Sequence, residues 1–193
     1  MSTDVITLIT SDHRKVEALF ARLQSKPDSR KADVAELAAL LTAHARAEED
    51  RVYPTIRETT PSEKGEIHHS VEEHKEAEIL LDQLKATRPD SPEFDGVLKK
   101  LVESVTQHVK EEENEILPAL AKAAGTKRLQ QLGKAFKERR DQEMLALRVP
   151  AQKASPDAAL TKEELYEKAK AMDLPGRSRM TKRELAAALG KRS

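Results

Sequence analysis

Apolar side chains recur every three or four residues along four long stretches of the chain, which is the spacing of one buried face of an α-helix. The first stretch begins after Asp4, a residue type that caps helix N-termini. Each stretch is 20 to 30 residues long, about the length of a bundle helix. The predicted helices start at Asp4 and end before Lys26–Ser29, then run from about Lys31 to Arg57, from about Glu63 to Thr87, and from about Glu93 to Gly125.

Short turn-forming segments separate these stretches, so consecutive helices are predicted to pack antiparallel. Residues 59–62 and 88–92 are rich in Thr, Ser, Asp and Pro, and Ser62 is expected to cap the third helix. Pro54 and Pro118 fall near the ends of the second and fourth helices and are expected to loosen them. The pattern therefore predicts an all-α fold, an up-down-up-down four-helix bundle over residues 1–125.

The remainder of the chain is predicted to form an additional helix and a small C-terminal module. Residues 126–148 carry a looser apolar line and should pack on the bundle or extend from it; its members are Leu129, Leu132, Phe136 and Leu145. Residues 149–158 have the composition of a flexible linker. Residues 159–193 contain two capping boxes, Thr161 with Glu164 and Thr181 with Glu184, which predict a helix, an extended loop and a second helix.

Composition agrees with a helical protein and excludes several kinds of chemistry. Aromatic residues make up 3% of the chain, which is low for a sheet protein, and charged residues make up 35%. The absence of cysteine excludes disulfides, thiolate catalysis and cysteine-ligated metal centres. Net charge is zero, but residues 151–193 hold 10 Lys and Arg against 6 Asp and Glu. No signal peptide or membrane-spanning apolar run is recognisable, so we expect a cytoplasmic protein without membrane contact.

One pattern occurs twice in the chain, 64 residues apart. Each copy has a histidine, a glutamate four residues later, a second glutamate directly after it, and a proline ten residues past the histidine. The copies start at His44 and His108, and their first glutamates are Glu48 and Glu112. Residues four apart lie on one face of a helix, so each histidine and its glutamate can reach the same point.

A further histidine precedes each copy, on the preceding helix of the same hairpin. His13 lies on the apolar line of the first helix and His74 on that of the third. Two antiparallel hairpins would bring together four imidazoles and two carboxylates, a donor set suited to iron, manganese or zinc. Burying two carboxylates without a cation would cost several kcal/mol each, about half of a domain's stability. The sequence thus predicts a di-metal site held by His13, His44, Glu48, His74, His108 and Glu112.

The site and its neighbouring residues have alternative explanations. A bundle without metal remains open, because a single histidine on an apolar face is usually a core residue. His68 and His69 lie far around the helix from His74 and are predicted to be solvated. Tyr53 is half a turn away from His44 and is predicted to pack between helices. A set of glutamates is assigned to outer faces or to a role in orienting the histidine rings: Glu17, Glu49, Glu78 and Glu113.

At these histidines and glutamates the chain resembles the hemerythrin-like, HHE cation-binding family over about residues 1–125. The resemblance implies a four-helix bundle with a non-haem di-iron centre whose irons are bridged by Glu48 and Glu112. It implies that His13 and His44 hold one iron and that His74 and His108 hold the other. The implied ligands are O₂, hydrogen peroxide or NO.

The chain departs from the oxygen-carrying members of that family. These have a further histidine four residues before the third-helix ligand, where this chain has Ser70, and an aspartate near the position of Glu112. One imidazole fewer leaves a more open centre, which favours redox chemistry, including catalase- or peroxidase-like turnover, over reversible O₂ carriage. A sensor module that does no turnover is the alternative.

Residues 160–189 are similar to the SAP-like or Rho N-terminal helix-extended-loop-helix modules of bacterial nucleic-acid proteins. The resemblance implies phosphate contacts by Arg177, Arg179, Lys182 and Arg183. A charged surface on a protein-docking module is the alternative. In the sensor hypothesis this tail docks the bundle to DNA.

Overall fold

The fold is all-α, a four-helix bundle with an additional helix packed against it. A computed structural model describes residues 3–148, 162–172, 185 and 188–189. The helices, in chain order, are α1 (Val5–Ser25), α2 (Arg30–Ala47), α3 (Tyr53–Thr59), α4 (Lys64–Ala86), α5 (Pro92–Glu111), α6 (Leu117–Arg148) and α7 (Lys162–Ala171). Single π-helical turns, Glu48–Val52 and Glu112–Ile116, join α2 to α3 and α5 to α6.

The helix ends follow from local side-chain chemistry in most places. Asp4 accepts a hydrogen bond from the backbone N–H of Thr7 and so caps α1, as predicted. Ser91 caps α5 in the same way through the N–H of Phe94. The prediction that Ser62 caps the third helix was wrong, because its hydroxyl donates to the Glu63 carboxylate and α4 starts without a side-chain cap.

The two prolines mark π-helical turns within long helices. In each turn a backbone N–H donates to the carbonyl five residues upstream, from Tyr53 to Glu48 and from Leu117 to Glu112. A proline follows directly at 54 and at 118, where its missing N–H would otherwise interrupt the α-helical ladder. The predicted loosening therefore takes the form of one extra residue in the turn before each proline.

Gly125 divides the last long helix, as the sequence predicted. Its φ is +68°, in the left-handed region that glycine adopts without strain, and it lies inside α6. Beyond it, α6 packs on α1 and α2. Leu132 and Phe136 are buried in that contact, whereas Leu145, assigned to the same apolar line, is 67% exposed. The additional helix thus packs on the bundle as far as Glu143, which is buried and pairs with Arg46, while Leu145 faces solvent.

Two apolar clusters form the core, and the polar site lies between them. One cluster fills the end of the bundle near the α1–α2 and α4–α5 connections, with Phe20, Leu37, Leu81 and Leu101 among its members. The other fills the opposite end, with Ile9, Ile56, Leu120 and Phe136. The long helices run without a loop through the layer between the clusters. This fixes the position of the polar side chains along the bundle axis.

The chain divides into two compact units, residues 1–148 and 149–193. In the second unit, Leu165 and Ala169 of α7 are buried together with Leu185 and Leu189. The predicted linker, 149–158, lies outside the described residues. So do the four basic residues assigned to nucleic-acid contact, Arg177, Arg179, Lys182 and Arg183.

Candidate metal centre

The six predicted ligand residues converge in the layer between the two apolar clusters. One group of donor atoms comes from His13, His44, Glu48 and Glu112, and these atoms all lie within 4.8 Å of one another. A second group under the same limit comes from Glu48, His74 and His108. Glu48 belongs to both groups and is fully buried, as is Glu112. The arrangement has two histidine pairs, which we call the His13/His44 half and the His74/His108 half.

The histidine ring nitrogens Nε2 face the two central glutamates. Nε2 of His44 lies 3.1 Å from Oε1 of Glu48, one helical turn away. Nε2 of His74 lies 3.4 Å from Oε2 of the same glutamate. Across the centre, Nε2 of His13 lies 3.2 Å from Oε2 of Glu112. The His74 and His108 Nε2 atoms are 3.2 Å apart, so both rings of that half point to one place.

A carboxylate faces the Nδ1 atom of each of the four histidine rings, on the side away from the centre. Two of these carboxylates directly follow the central glutamates: Glu113 lies 2.8 Å from Nδ1 of His13, and Glu49 lies 2.9 Å from Nδ1 of His74. Each belongs to one hairpin and orients the histidine of the other. Of the two roles that the sequence left open for Glu49 and Glu113, an outer face or orientation of a histidine ring, these contacts favour the second.

The other two carboxylates directly precede the first histidine of each hairpin. Glu73 lies 2.9 Å from Nδ1 of His108, and Asp12 lies 3.7 Å from Nδ1 of His44. Sequence reasoning missed both, although they share one signal, an acidic residue directly before His13 and directly before His74. The acceptors within hydrogen-bond distance, at Nδ1 of His13, His74 and His108, hold the proton there and leave Nε2 free to bind a metal.

Several buried polar atoms at the centre have no hydrogen-bond partner. They are His13 Nε2, both ring nitrogens of His44, Glu48 Oε1 and both oxygens of Glu112. An unpartnered buried carboxylate is costly, and the imidazole nitrogens and carboxylate oxygens that lack partners are the donor types that transition metals take. The residues therefore fit a metal centre, and the fit rests on these atoms.

The carboxylates of the centre favour positive charge on the imidazoles that they contact. Burial alone would lower the pKa of His44, but Glu48 and Asp12 raise it to about 10. Burial opposes a positive charge on His74 too, and hydrogen bonds to Glu48 and Glu49 raise its pKa to about 9. The nearby imidazoles hold the pKa of Glu48 well below its usual value in spite of its burial. The site thus attracts positive charge, whether protons or cations.

Tyr53 packs between helices in the second apolar cluster, as predicted, but its hydroxyl also reaches the centre. Its hydroxyl lies 3.4 Å from Oε2 of Glu48 and 3.5 Å from Nε2 of His74. The π-helical turn absorbs one residue, which rotates Tyr53 by about 100° relative to a regular α-helix and brings it to the inside. Burial, followed by the charges of Glu48 and Glu112, raises the pKa of its phenol well above the usual value. Ser70 is also buried, and its hydroxyl donates to the backbone carbonyl of Glu66.

A cavity of about 210 Å³ adjoins the centre. All four histidines contribute to its wall, and its other inner surfaces are mostly apolar, from Val16, Leu41, Ala77, Leu81, Val105 and Val109. A cavity needs roughly 10–15 Å³ to hold one water, so this one admits small molecules readily. It gives the buried centre room for an external ligand on the side of α2 and α4.

The remaining predicted positions lie away from the centre. His68 and His69 are 74% and 54% exposed, in agreement with the prediction. Glu17 forms a surface ion pair with Arg14. Glu78 is exposed and borders the cavity.

No helix among the described residues is long and apolar enough to cross a membrane.

Comparison with known proteins agrees with this geometry. A solved structure of a hemerythrin HHE cation binding domain-containing protein from Mycobacterium kansasii superimposes with a TM-score of 0.65 over 96% of this chain and 99% of its own. Sequence identity is 19%, so this likeness concerns the fold. A DNA nickase from Nostoc sp. (strain PCC 7120) is 33% identical over 132 residues, which are 67% of this chain and 37% of that relative.

The family model described as hemerythrin HHE cation binding domain matches residues 4–120. These residues span all six converging side chains and end before the additional helix. The match covers more than half of the chain and coincides with the bundle that surrounds the histidine–glutamate centre. The chain therefore belongs to the hemerythrin HHE cation-binding domain family.

Proposed function

We propose that this protein holds two iron ions between its two hairpins and reacts with O₂, hydrogen peroxide or NO. The observation that carries the proposal is a pair of fully buried glutamates with unpartnered oxygens: Glu48 is within reach of both histidine pairs, and Glu112 lies beside the His13/His44 half. His13 and His44 would hold one ion, His74 and His108 the other, and the two glutamates would bridge them. Bound iron would supply redox change and coordination positions for a small ligand.

The protein side chains have separable roles in this proposal. Glu49, Glu73 and Glu113 keep the ring protons of His74, His108 and His13 at Nδ1 and hold their Nε2 atoms towards the centre, and Asp12 faces Nδ1 of His44 at a longer distance. The mostly apolar cavity wall favours a small, weakly charged ligand. The Tyr53 hydroxyl donates a hydrogen bond to Glu48 at the centre and can give a proton to a reduced product.

Ser70 supports reaction over reversible O₂ carriage. Its side chain faces the backbone carbonyl of Glu66 and offers no imidazole to the centre. Four histidines then serve two ions, which leaves coordination positions that a reactant can occupy. Peroxide consumption in a catalase- or peroxidase-like reaction is the activity we expect from such a centre.

The test is anaerobic loading with ferrous iron, followed by metal analysis and optical spectra before and after O₂, peroxide or NO is added. We expect two irons per chain and ligand-dependent spectra. Peroxide consumption should exceed that of free iron and fall at least tenfold in Glu48→Ala, while His68→Ala, a change at an exposed histidine, should behave as wild type. Fewer than one metal per chain would support a structural bundle without metal.

A second candidate is an iron- or oxygen-responsive module that docks to DNA and does no turnover. It is favoured by the net positive charge of residues 151–193 and by the relative that is named a DNA nickase. The matched segment is 37% of that relative, and its nicking activity belongs to the whole protein. Glu48 and Glu112 are fully buried, so a duplex phosphate has no direct access to them, and we do not propose nicking at this centre.

The two candidates are separated by peroxide turnover and by DNA binding. The sensor hypothesis predicts no turnover above free iron, together with DNA binding that weakens as salt rises. Deletion of residues 151–193 should abolish the binding. Binding that survives the deletion would refute the assignment of the tail, and rapid peroxide turnover would favour the enzyme.

A further inference from the structure

Each half of the centre has two ligand histidines with a carboxylate behind each ring, and the halves differ in what surrounds these carboxylates. In the His13/His44 half these carboxylates are Asp12 and Glu113. In the His74/His108 half they are Glu49 and Glu73. The difference lies in the cations that pair with each set.

Asp12 is fully buried and is paired with two cations. Nη1 of Arg140 lies 2.7 Å from its Oδ2, and Nζ of Lys15 lies 2.8 Å from its Oδ1. Its distance to Nδ1 of His44, 3.7 Å, is the longest of the four carboxylate–imidazole contacts. The carboxylate therefore directs its charge mainly to the guanidinium and the ammonium, and less of it to His44.

Glu113 is also paired with a cation. The guanidinium of Arg14 forms an ion pair with the same oxygen that contacts Nδ1 of His13. Both carboxylates of this half are thus neutralised in part, by three basic side chains in total: Arg14, Lys15 and Arg140.

Neither carboxylate of the other half forms an ion pair with Lys or Arg among residues 3–148. Glu49 contacts Nδ1 of His74. Glu73 contacts Nδ1 of His108 at 2.9 Å and the exposed His69 at 3.5 Å. The negative charge of these two carboxylates therefore acts mainly on the ligand histidines His74 and His108.

The additional helix is responsible for part of this asymmetry. Arg140 lies on α6, 20 residues past the end of the family match. Its neighbour on the same helix, Phe136, is fully buried and packs edge-on against the His44 ring, with ring centroids 5.8 Å apart. The guanidinium also lies over the Phe136 ring, at 5.7 Å from its centroid.

We propose that α6 makes the two metal positions unequal, with Arg140 as a positioning residue that acts on His44 through Asp12 and weakens metal binding in the His13/His44 half. An uncompensated carboxylate behind an imidazole makes its Nε2 a stronger donor, and a nearby cation repels a metal ion. The His74/His108 half is therefore the tighter position. This inference rests on the proposed two-metal centre.

The test is anaerobic titration of the full-length protein with Co²⁺, followed by the visible d–d absorption and by calorimetry. Wild type should bind two ions in two resolved steps. Arg140→Gln should tighten the weaker step by about tenfold and leave the tighter step unchanged. Arg140→Lys should restore the weak step, because the charge beside Asp12 is kept.

The sign of the effect separates the proposal from a purely structural role. If Arg140 only held Asp12 in place, its loss would weaken cobalt binding; the proposal requires tighter binding. Arg139→Gln is the matched control, since Arg139 lies next in the helix but pairs with Asp50 and Glu143. It should leave both steps as in wild type.

A second variant covers the case in which Arg140→Gln does not fold. Arg14 is 55% exposed, so Arg14→Gln should preserve the fold and tighten the same weaker step by a smaller factor, because solvent screens its charge. Two equal steps in wild type, or weaker binding in both variants, would overturn the proposal.

The same experiment separates this inference from the two-metal proposal. His44→Ala should remove the weaker step and His108→Ala the tighter one. Binding of one ion only would contradict the two-metal centre, and these two variants would then show which half holds it. An ion retained in His44→Ala and lost in His108→Ala supports the inequality, whereas the reverse overturns it.

Discussion

The hydroxyl of Tyr53 lies 3.4 Å from the carboxylate of Glu48, five residues upstream in the same continuous helix. In a regular α-helix residues five apart point about 140° away from each other. The π-helical turn Glu48–Val52 brings them together, and the backbone N–H of Tyr53 bonds to the carbonyl of Glu48 as well. The phenol thereby becomes a hydrogen-bond donor inside the centre.

Replacing Tyr53 with phenylalanine should keep the metal and slow the reaction. The ring still fills its buried position, but Glu48 loses one hydrogen bond, worth about 1.4 kcal/mol or tenfold in rate. We expect unchanged metal content and peroxide consumption about tenfold slower. Tyr166→Phe, at the other tyrosine of the chain, should match wild type, and equal rates in all three proteins would remove Tyr53 from the mechanism.

Glu113→Gln should weaken metal binding without removing a ligand. The amide keeps the size of the side chain but loses the negative charge behind His13, and changes of this kind cost about 10- to 100-fold in affinity. Competition with a chelator would measure it. Glu115→Gln lies exposed in the same π-helical turn and should have no effect; similar losses in both variants would point to the turn itself.

Glu112→Gln should make the metal-free protein more stable while it weakens metal binding. Both carboxylate oxygens of Glu112 are buried without hydrogen bonds, so neutralising them should raise the free energy of unfolding by about 1–3 kcal/mol. Thermal unfolding after treatment with a chelator, and again after metal loading, measures both effects. Glu103→Gln, on the exposed side of α5, should change neither, and a less stable metal-free Glu112→Gln protein would show that the charge is compensated.

Gly133→Ala should destabilise the bundle. A Cβ at this position would lie 2.4 Å from the backbone oxygen of Thr3 and 2.9 Å from the backbone of Asp4 and Val5, so α6 would have to move away from the start of α1. We expect a loss of about 1–3 kcal/mol in denaturant unfolding. Gly96→Ala, in open space within α5, should instead gain about 0.5–1 kcal/mol, and a gain at both positions would contradict the close approach.

The sequence was sufficient for the helices and for the six converging residues, because both follow from one periodicity. Apolar residues at helical spacing on either side of His44 and Glu48 predict that this face of the helix is buried. The same spacing recurs around His108 and Glu112. The break in α6 at Gly125, where the sequence predicted the end of a helix, agrees with glycine's tolerance of positive φ.

What the sequence could not provide depends on departures from that periodicity and on contacts between helices. A π-helical turn shifts every later residue, so the contact of the Tyr53 hydroxyl with the centre was not predicted. Asp12 and Glu73 were missed since each orients a histidine on the neighbouring helix, which spacing within one helix does not reveal. The contact of Arg140 with Asp12 spans 128 residues and depends on how α6 folds back.

The π-helical turns also imply an unusual sensitivity to chain length. Deleting Asp50 would let the helix return to regular α-helical winding, and Tyr53, Ile56 and the following connection would rotate by about 100°. We expect this one-residue deletion to abolish metal binding, whereas Asp50→Ala removes only its ion pair with Arg139 and should leave binding intact. In this protein, insertions and deletions in two short segments should be under stronger selection than most substitutions there.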